Sequence, residues 1–412
     1  MAEGLGCRVG KTRSNYWIAS EAVVYNACGG KARVLEISEQ KRPNVIDQIG
    51  GHLMIEGLRV EHFRSFQLLE LSNLKRVNII VGKNASGKTV LLEAIKLGLD
   101  ATPGSLPWLN SMRGMNFLVP PNLTAEQFKE QFIDFFHGFN AEIPICIRIK
   151  DSTNRSASVR VYFDPKKATT TQPGIGFQAA PSLSVPTTII PLVYDRVDFQ
   201  GQGNVLMASI NPQGQLFLEP GRPMGISSGF FSNSYFGIPQ ENATWLSKLS
   251  VEKRSGEVIE SIQRHFPFVR DITSETTVQG FGTVYADLPH LPRKIPLSLV
   301  SSGISRLFTL MLAIVTFRGG VVLIDEVENG IFHDQYALIW KTLADLAEHH
   351  NTQLFISTHS GECLREALPT VKEKRNDFAL LRVRRENGQS IVEPFSGDQL
   401  ESALDKNGEV RD

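Results

Sequence analysis

Cysteine is scarce in this chain of 412 residues, and the four present, Cys7, Cys28, Cys146 and Cys363, stand far apart with no CxxC pair. That argues against a disulfide framework or a zinc site, and it suits reduced thiols in a cytosolic setting. No run of about 18 apolar residues occurs, so no membrane span is expected. The N-terminus lacks the apolar segment of a secretory signal. Net charge is absent too: 43 basic residues balance 43 acidic ones. Such a chain has no global signature of nucleic-acid binding, although a local patch stays compatible with it. Sustained heptads are missing, which excludes a long coiled coil, and there is no internal repeat. What remains is an ordinary globular composition, 42% hydrophobic and 21% charged. The length fits one large domain with an insertion, or two domains.

Residues 1–53 are rich in glycine and small polar residues and show no clear period. They read as an extension, poorly ordered or upstream of the working start, with a small accessory segment packed on the core as the alternative. Gly10-Lys11-Thr12 is a decoy, because position 5 is Leu5 where a phosphate loop needs glycine. From Met54 the texture becomes α/β. Residues 54–100 read as strands, a glycine-rich loop and a helix. Residues 101–290 form a mixed α+β middle section, and 291–412 return to α/β.

Within the middle, Thr124 and Gln127 form a potential capping box for a helix to about Phe136. Ile143–Ile149, Ser158–Phe163 and Thr187–Val193 read as strands, and Gly256–His265 as a helix. The stretches 170–182 and 211–240 read as loops. Further on, Arg306–Phe317 and Tyr336–His349 predict helices. Gly320–Ile324, Gln353–Ser357, Phe378–Val383 and Ser390–Pro394 predict strands.

Four motifs carry chemistry. Gly82-Lys83-Asn84-Ala85-Ser86-Gly87-Lys88-Thr89 fits G-x-x-x-x-G-K-[ST] in full, between the β-branched run Val77–Val81 and an apolar helix that starts near Val90. Glycines let backbone N–H groups turn toward phosphate oxygens, and the helix adds its positive end. Gly82, Asn84, Ala85, Ser86, Gly87, Lys88, Thr89 and Val90 are the expected nucleotide contacts. Lys88 would reach the β- and γ-phosphates of ATP, and Thr89 would ligate Mg²⁺. A glycine-rich turn with an exposed lysine is the competing reading.

The second motif is Val321-Val322-Leu323-Ile324-Asp325-Glu326, a buried strand that delivers two acids to its C-terminal edge. Asp325 would hold Mg²⁺ and Glu326 would be the general base for water. The third is the strand Leu354–Ser357 running into Thr358-His359-Ser360. His359 follows Glu326 by 33 positions, room for one helix and one return strand, so it should emerge beside the acids as a γ-phosphate sensor. The fourth is Ser301-Ser302-Gly303 before an apolar helix. It either caps that helix or presents Ser302, Gly303 and the helix N-terminus to a phosphate.

In this order the four motifs resemble the ABC-type ATPase heads of the RecF/SMC and overcoming-lysogenization-defect (OLD) families, over about 54–100 and 290–412. The resemblance implies an α/β P-loop NTPase of ABC-ATPase type with a β-rich N-terminal lobe and a middle insertion. By it, Gly82–Thr89 is Walker A, Val321–Glu326 is Walker B, His359 is the switch histidine and Ser301-Ser302-Gly303 the signature turn. The run Asp325-Glu326-Val327-Glu328-Asn329-Gly330 looks like that of stand-alone bacterial members. Ile331-Phe332-His333 then places the D-loop histidine one position late. No Q-loop motif is present; Gln200, Gln202 and Asp195 are the candidates. Arg306 either supports the signature helix or is a surface cation.

The family works as head-to-tail dimers, so the resemblance implies a homodimer or higher homo-oligomer in which Ser302 and Gly303 of one copy close ATP on Lys88 of another. It implies a cytoplasmic regulatory ATPase of phage-defence type acting with a separate, nuclease-like effector. OLD nucleases carry a Toprim domain, and the 53 residues after His359 are expected to hold none. The alternative is a RecF-like repair ATPase that binds DNA; a non-catalytic ATP scaffold and a transporter subunit fit less well.

Overall fold

The computed structural model of the chain describes residues 54–115, 124–171, 187–210, 216–232, 239–277, 280–397 and 399–400. The extension 1–53, with Gly10-Lys11-Thr12, lies outside the described residues, as do residues 172–182 of the loop expected over 170–182; Thr170 and Thr171 end a short strand.

Two sheets pack on opposite sides of one helix. The first is antiparallel, with strands β1 (Ile55–Phe63), β2 (Phe66–Leu71), β4 (Ile145–Asp151), β5 (Ser156–Phe163), β8 (Leu192–Val197), β9 (Gly203–Ile210) and β10 (Leu216–Leu218) in the order β10-β9-β8-β5-β4-β1-β2. In β1, Leu58 and Val60 point inward while Arg59 and Glu61 do not, the period of a strand with one face buried. A register shift between Ile55 and Gly57 buries Ile55 as well.

The second sheet contains β3 (Val77–Val81), β11 (Ser228–Phe231), β15 (Val321–Ile324), β16 (Gln353–Ser357), β17 (Phe378–Glu386) and β18 (Gln389–Ser396), ordered β11-β15-β16-β3-β17-β18. It is parallel as far as β17, and β18 returns antiparallel. Every residue of β3, β15 and β16 is buried, as strands covered on both faces require. On one face lie α4 (Pro239–Val251), α5 (Ser255–His265), α7 (Ser302–Thr316) and α8 (Tyr336–His350). On the other lies α1 (Lys88–Asp100), whose far side meets β1 and β4.

Helix α1 is therefore enclosed between the sheets, and its charges are paired. Lys96 Nζ donates to Asp100 at 3.0 Å and to the Ser228 carbonyl at 3.0 Å. A buried charge without such partners would cost several kcal/mol. Smaller elements flank this core: α2 (Ser105–Met112), α3 (Ala125–Ile133), the single turn α6 (Leu297–Val300), the ribbon β6 (Thr169–Thr171) with β7 (Thr187–Ile189), and the sheet β12 (Asp271–Thr276), β13 (Gly282–Asp287), β14 (Ile295–Pro296). Among the described residues, no helix is long and apolar enough to cross a membrane.

The motif-bearing elements stand where the sequence puts them, and three expectations change. The capping box is present, with Gln127 N to Thr124 Oγ1 at 3.2 Å and Thr124 N to Gln127 Oε1 at 3.0 Å, but α3 ends at Ile133 rather than near Phe136. Thr187–Val193 is two strands, β7 and β8, separated around Pro191, which has no N–H to give a ladder. The stretch 211–240 is more than loops: β11 lies there and pairs with β15, and α4 starts at Pro239. Ser228-Gly229-Phe230-Phe231 is too short to carry a periodic signal.

Gln353, at the start of β16, ties the sheets together. Its side-chain oxygen accepts from Ile55 N at 2.8 Å, and its amide nitrogen donates to the carbonyls of Ile55 and Lys75, each at 2.8 Å. Gln353→Leu strands three backbone groups in a dry site, and the expected loss of stability is about 3 kcal/mol. Denaturant unfolding checks this; a loss well under about 1 kcal/mol would remove the assigned role.

Candidate nucleotide site

The loop between β3 and α1 owes its shape to glycine. Gly82 and Gly87 have φ of 153° and 115°, values that L side chains rarely adopt. A Cβ on Gly87 would also stand 2.5 Å from Ser390 Oγ. The β17–β18 hairpin backs the loop at this point: Ser390 Oγ donates to the Ser86 carbonyl at 2.6 Å, and Ser390 N donates to the Ser65 carbonyl at 3.0 Å. Lys88 Nζ donates to the carbonyls of Gly82 at 2.8 Å and Lys83 at 3.1 Å, so its ammonium is folded into the loop mouth.

Walker B reaches the loop across the sheet. Thr89 Oγ1 donates to Asp325 Oδ2 at 2.8 Å, and Ser357 Oγ donates to Asp325 Oδ1 at 2.5 Å. Glu326 follows with φ of 52°, a left-handed conformation that costs an L residue about 1–2 kcal/mol. Two groups hold it there. Glu326 N donates to Ser357 Oγ at 2.8 Å, and Arg306 Nη2 donates to the carbonyls of Asp325 at 3.0 Å and Glu326 at 2.6 Å. Arg306 is thus no surface cation: it is buried and braces the acidic turn from the signature helix. Burial lowers its guanidinium pKa, against the pull of Glu328, Asp325 and Glu326.

The turn at Glu326 swings Glu328 back toward the switch segment. Glu328 Oε1 accepts from His359 N at 2.8 Å and Ser360 N at 3.0 Å, and it lies 2.9 Å from His359 Nδ1. Glu326 Oε1 is farther from that ring nitrogen, at 3.7 Å. Sequence reasoning missed Glu328 as a functional residue, although its spacing from Glu326 was visible.

These groups line one cavity of about 670 Å³. Asn84 to Val90, Asp325, Glu326 and His359 are part of its lining, and Arg64, Arg113, Asp134, His137, Phe139 and Arg385 are among the other residues of its wall. The wall residues come from segments with no motif, so sequence patterning could not collect them. Arg64 and Arg113 share one fully buried acid, Glu93 of α1. Arg64 Nε lies 3.0 Å from Glu93 Oε2, and Arg113 Nε donates to Glu93 Oε1 at 2.6 Å. Arg64, Arg113 and Arg385 against Glu93 and Asp134 leave the wall with an excess of positive charge.

Other expected residues lie elsewhere. Ser302 and Gly303 are not in the lining of this cavity. Ser301 caps α7, its hydroxyl accepting from Ile304 N at 3.5 Å, and Gly303 packs so close to the D-loop that a Cβ would stand 2.7 Å from the Gly330 carbonyl. Gln200 and Gln202 bond through their backbone N–H groups to Asp198 in the β8–β9 turn, and Asp195 is exposed on β8. None of the three is in the lining of the cavity. The late D-loop histidine, His333, is exposed and lies 3.8 Å from Glu362.

The donor set fits a hydrated Mg²⁺ and a triphosphate. Thr89 Oγ1 and Asp325 Oδ2 are hard oxygen donors 2.8 Å apart, close to the roughly 3 Å edge of an octahedron with Mg–O bonds of about 2.1 Å. A parallel sheet with one strand between the phosphate-loop strand and the acidic strand, and this cleft at its C-terminal edge, defines a P-loop NTPase of α/β, ABC-ATPase type. Sequence comparisons agree. The AAA-domain family described as "AAA domain, putative AbiEii toxin, Type IV TA system" matches residues 225–364, and a second AAA-domain family matches 58–190. An "ATP/GTP phosphatase" of Helicobacter pylori is 22% identical over 376 residues, covering 84% of this chain and 97% of that protein. A "DNA replication and repair protein RecF" of Idiomarina loihiensis is 43% identical over 70 residues, 16% of this chain and 20% of that one. Among solved structures, an SMC head bound to the C-terminal winged-helix domain of ScpA gives a TM-score of 0.46 at 14% identity, covering 84% of this chain and 99% of that one. The SMC head domain of Thermotoga maritima gives 0.38 at 15%, covering 83% and 99%. The chain is thus similar to AAA-domain ATPases over 58–190 and 225–364.

Removing the shared acid tests the cationic wall. Glu93→Gln leaves Arg64 and Arg113 without their buried counter-charge, and the expected cost is about 3 kcal/mol of folding stability. Urea unfolding checks this; an unchanged midpoint would contradict the pairing.

Proposed function

We propose that this protein is an ATP-hydrolysing switch whose site is completed by a second copy of the chain. The observation that carries the reading is the meeting of Thr89, Asp325, Glu326 and His359 around Lys88 in one cleft. In this reading 54–100 and 291–412 form one ATPase head into which 101–290 is inserted. Backbone N–H groups from Asn84 to Val90 bind the phosphates. Lys88 leaves the carbonyls of Gly82 and Lys83 to reach the β- and γ-phosphates. Thr89 and Asp325 hold Mg²⁺, which neutralises phosphate charge when bound. Glu326 accepts the proton of the attacking water. His359 is a γ-phosphate sensor, and Glu328 keeps Nδ1 of its ring engaged so that Nε2 is free to turn to the nucleotide. Arg113 is a further cation for the phosphates.

Nothing in the described part of one copy brings Ser302 or Gly303 to the cleft, and this supports closure by a second copy in a homodimer or larger homo-oligomer. Closure would exclude water and couple assembly to hydrolysis. The biological reading is a cytoplasmic regulatory ATPase of defence type that controls a separate, nuclease-like effector. The toxin–antitoxin wording of the family matched at 225–364 favours it. The short, closer match to a RecF protein keeps a DNA-binding repair ATPase as the second reading, which predicts steep salt dependence of DNA binding.

Glu326→Gln is expected to bind ATP normally and lose about 10²–10⁴-fold in turnover, while Lys88→Ala loses ATP binding itself. Steady-state turnover and nucleotide binding separate the two. Unimpaired hydrolysis by Glu326→Gln would refute the base assignment, and tight ATP binding by Lys88→Ala would refute the site. Glu328→Gln, which keeps the volume and removes the carboxylate, should lower kcat with little change in KM. An unchanged kcat would deny its hold on His359.

A further inference from the structure

Helix α8 ends on two adjacent histidines at the edge of the parallel sheet opposite the nucleotide. Across from them stands Glu257, in the first turn of α5. The three side chains bring Glu257 Oε2 and one nitrogen of each ring within 4.8 Å of one another. His350 Nε2 is 2.7 Å from Glu257 Oε2, and His349 Nε2 is 4.0 Å from the same oxygen. Yet the closest pair makes no hydrogen bond: both Glu257 Oε2 and His350 Nε2 are buried atoms without a hydrogen-bond partner. The His350 side chain is only 4% exposed, so no bulk water makes good the deficit. Two unsatisfied Lewis bases face each other, with a third donor beside them.

We propose that Glu257, His349 and His350 bind one divalent transition-metal ion, zinc foremost. Two imidazole nitrogens and one carboxylate oxygen form a common three-ligand set for Zn²⁺, with water in the fourth place. With ligand bonds of about 2.0–2.1 Å, tetrahedral donors stand about 3.3 Å apart. The close pair, at 2.7 Å, therefore opens by about 0.6 Å and the far pair, at 4.0 Å, closes by about 0.7 Å. His349 is 72% exposed, so its ring is free to make that adjustment. The C-terminal end of α8 also carries partial negative charge, which favours a cation there. Two arginines oppose it from nearby. Arg254 is held by Glu252 at 2.9 Å and by the Val315 carbonyl at 3.2 Å, and Arg318 is exposed to solvent.

Position defines the role. His350 lies three residues before β16, at that strand's N-terminal end, whereas the phosphate loop and the acids occupy the C-terminal edge of the same parallel sheet. The ion therefore acts as a staple between α5, from the middle section, and α8, from the C-terminal part of the ATPase core. Its effect is on stability rather than on the reacting atoms.

The test uses the untagged full-length chain, titrated with Co²⁺ and followed by the visible absorption of tetrahedral cobalt, with thermal melts in the presence and absence of Zn²⁺. One Co²⁺ per chain is expected, displaced by Zn²⁺, and Zn²⁺ should raise Tm by mass action. His349→Ala, which removes an exposed ring, should weaken binding at least about tenfold and abolish the Tm gain. The same variant should fold normally and hydrolyse ATP like the parent without added Zn²⁺. His359→Ala, at the nucleotide cleft, should keep the cobalt signal. No tetrahedral signal, a signal unchanged in His349→Ala, or one lost in His359→Ala would each overturn the proposal.

Discussion

The cleft depends on the insertion of β16 between β3 and β15. Adjacent strands stand about 4.8 Å apart, so the phosphate-loop strand and the acidic strand are separated by about 10 Å. In the proposed reading a phosphate and an ion sit in that gap, between Lys88 and Glu326. The parallel register fixes it, with Ile356 opposite both Ile79 and Ile324. The inserted strand also serves the acids on one side: Ser357 bonds Asp325 and Glu326, and His359 emerges directly beside them. A slip of one residue in β16 would turn Ser357 away from Asp325 and point core side chains at the wrong layer.

Helix α1 supplies the second constraint. It starts the phosphate loop and is then enclosed between two sheets, so each of its polar side chains has a fixed partner. Glu93 is the most consequential. By neutralising only one of the two arginines that meet it, it leaves positive charge on the cleft wall, where a polyanion would dock. The C-terminal hairpin adds a third element, since Ser390 pins the loop backbone from behind. Rigid support of this kind holds loop N–H groups in place before any phosphate arrives, which lowers the entropic cost of binding.

The parts of this arrangement that repeat a short pattern were legible in the sequence. Gly82–Thr89, the strand into Asp325-Glu326, the strand into His359 and the capping box at Thr124 all rest on local spacing, and each element forms in the structure. The missing parts depend on long-range packing. β11 is four residues with a glycine, and only its pairing with β15 makes it a strand. Arg64, Arg113 and Arg385 are ordinary arginines until the fold gathers them. Arg306 was open between support and surface, and burial decided for support. A glutamine after a strand is a weak signal: Gln200 and Gln202 stand in a hairpin turn outside the cavity lining.

The central claim is that each cleft is half of a site whose other half sits on another copy. Mixing two inactive variants tests it most directly: Lys88→Ala, with a disabled phosphate loop and an intact signature turn, and Ser302→Arg, with the reverse. Random pairing gives half mixed dimers, each with one complete site, so ATP turnover should recover to about one quarter of the parental rate in a symmetric dimer. Full activity of Ser302→Arg alone, or no recovery on mixing, would contradict the account.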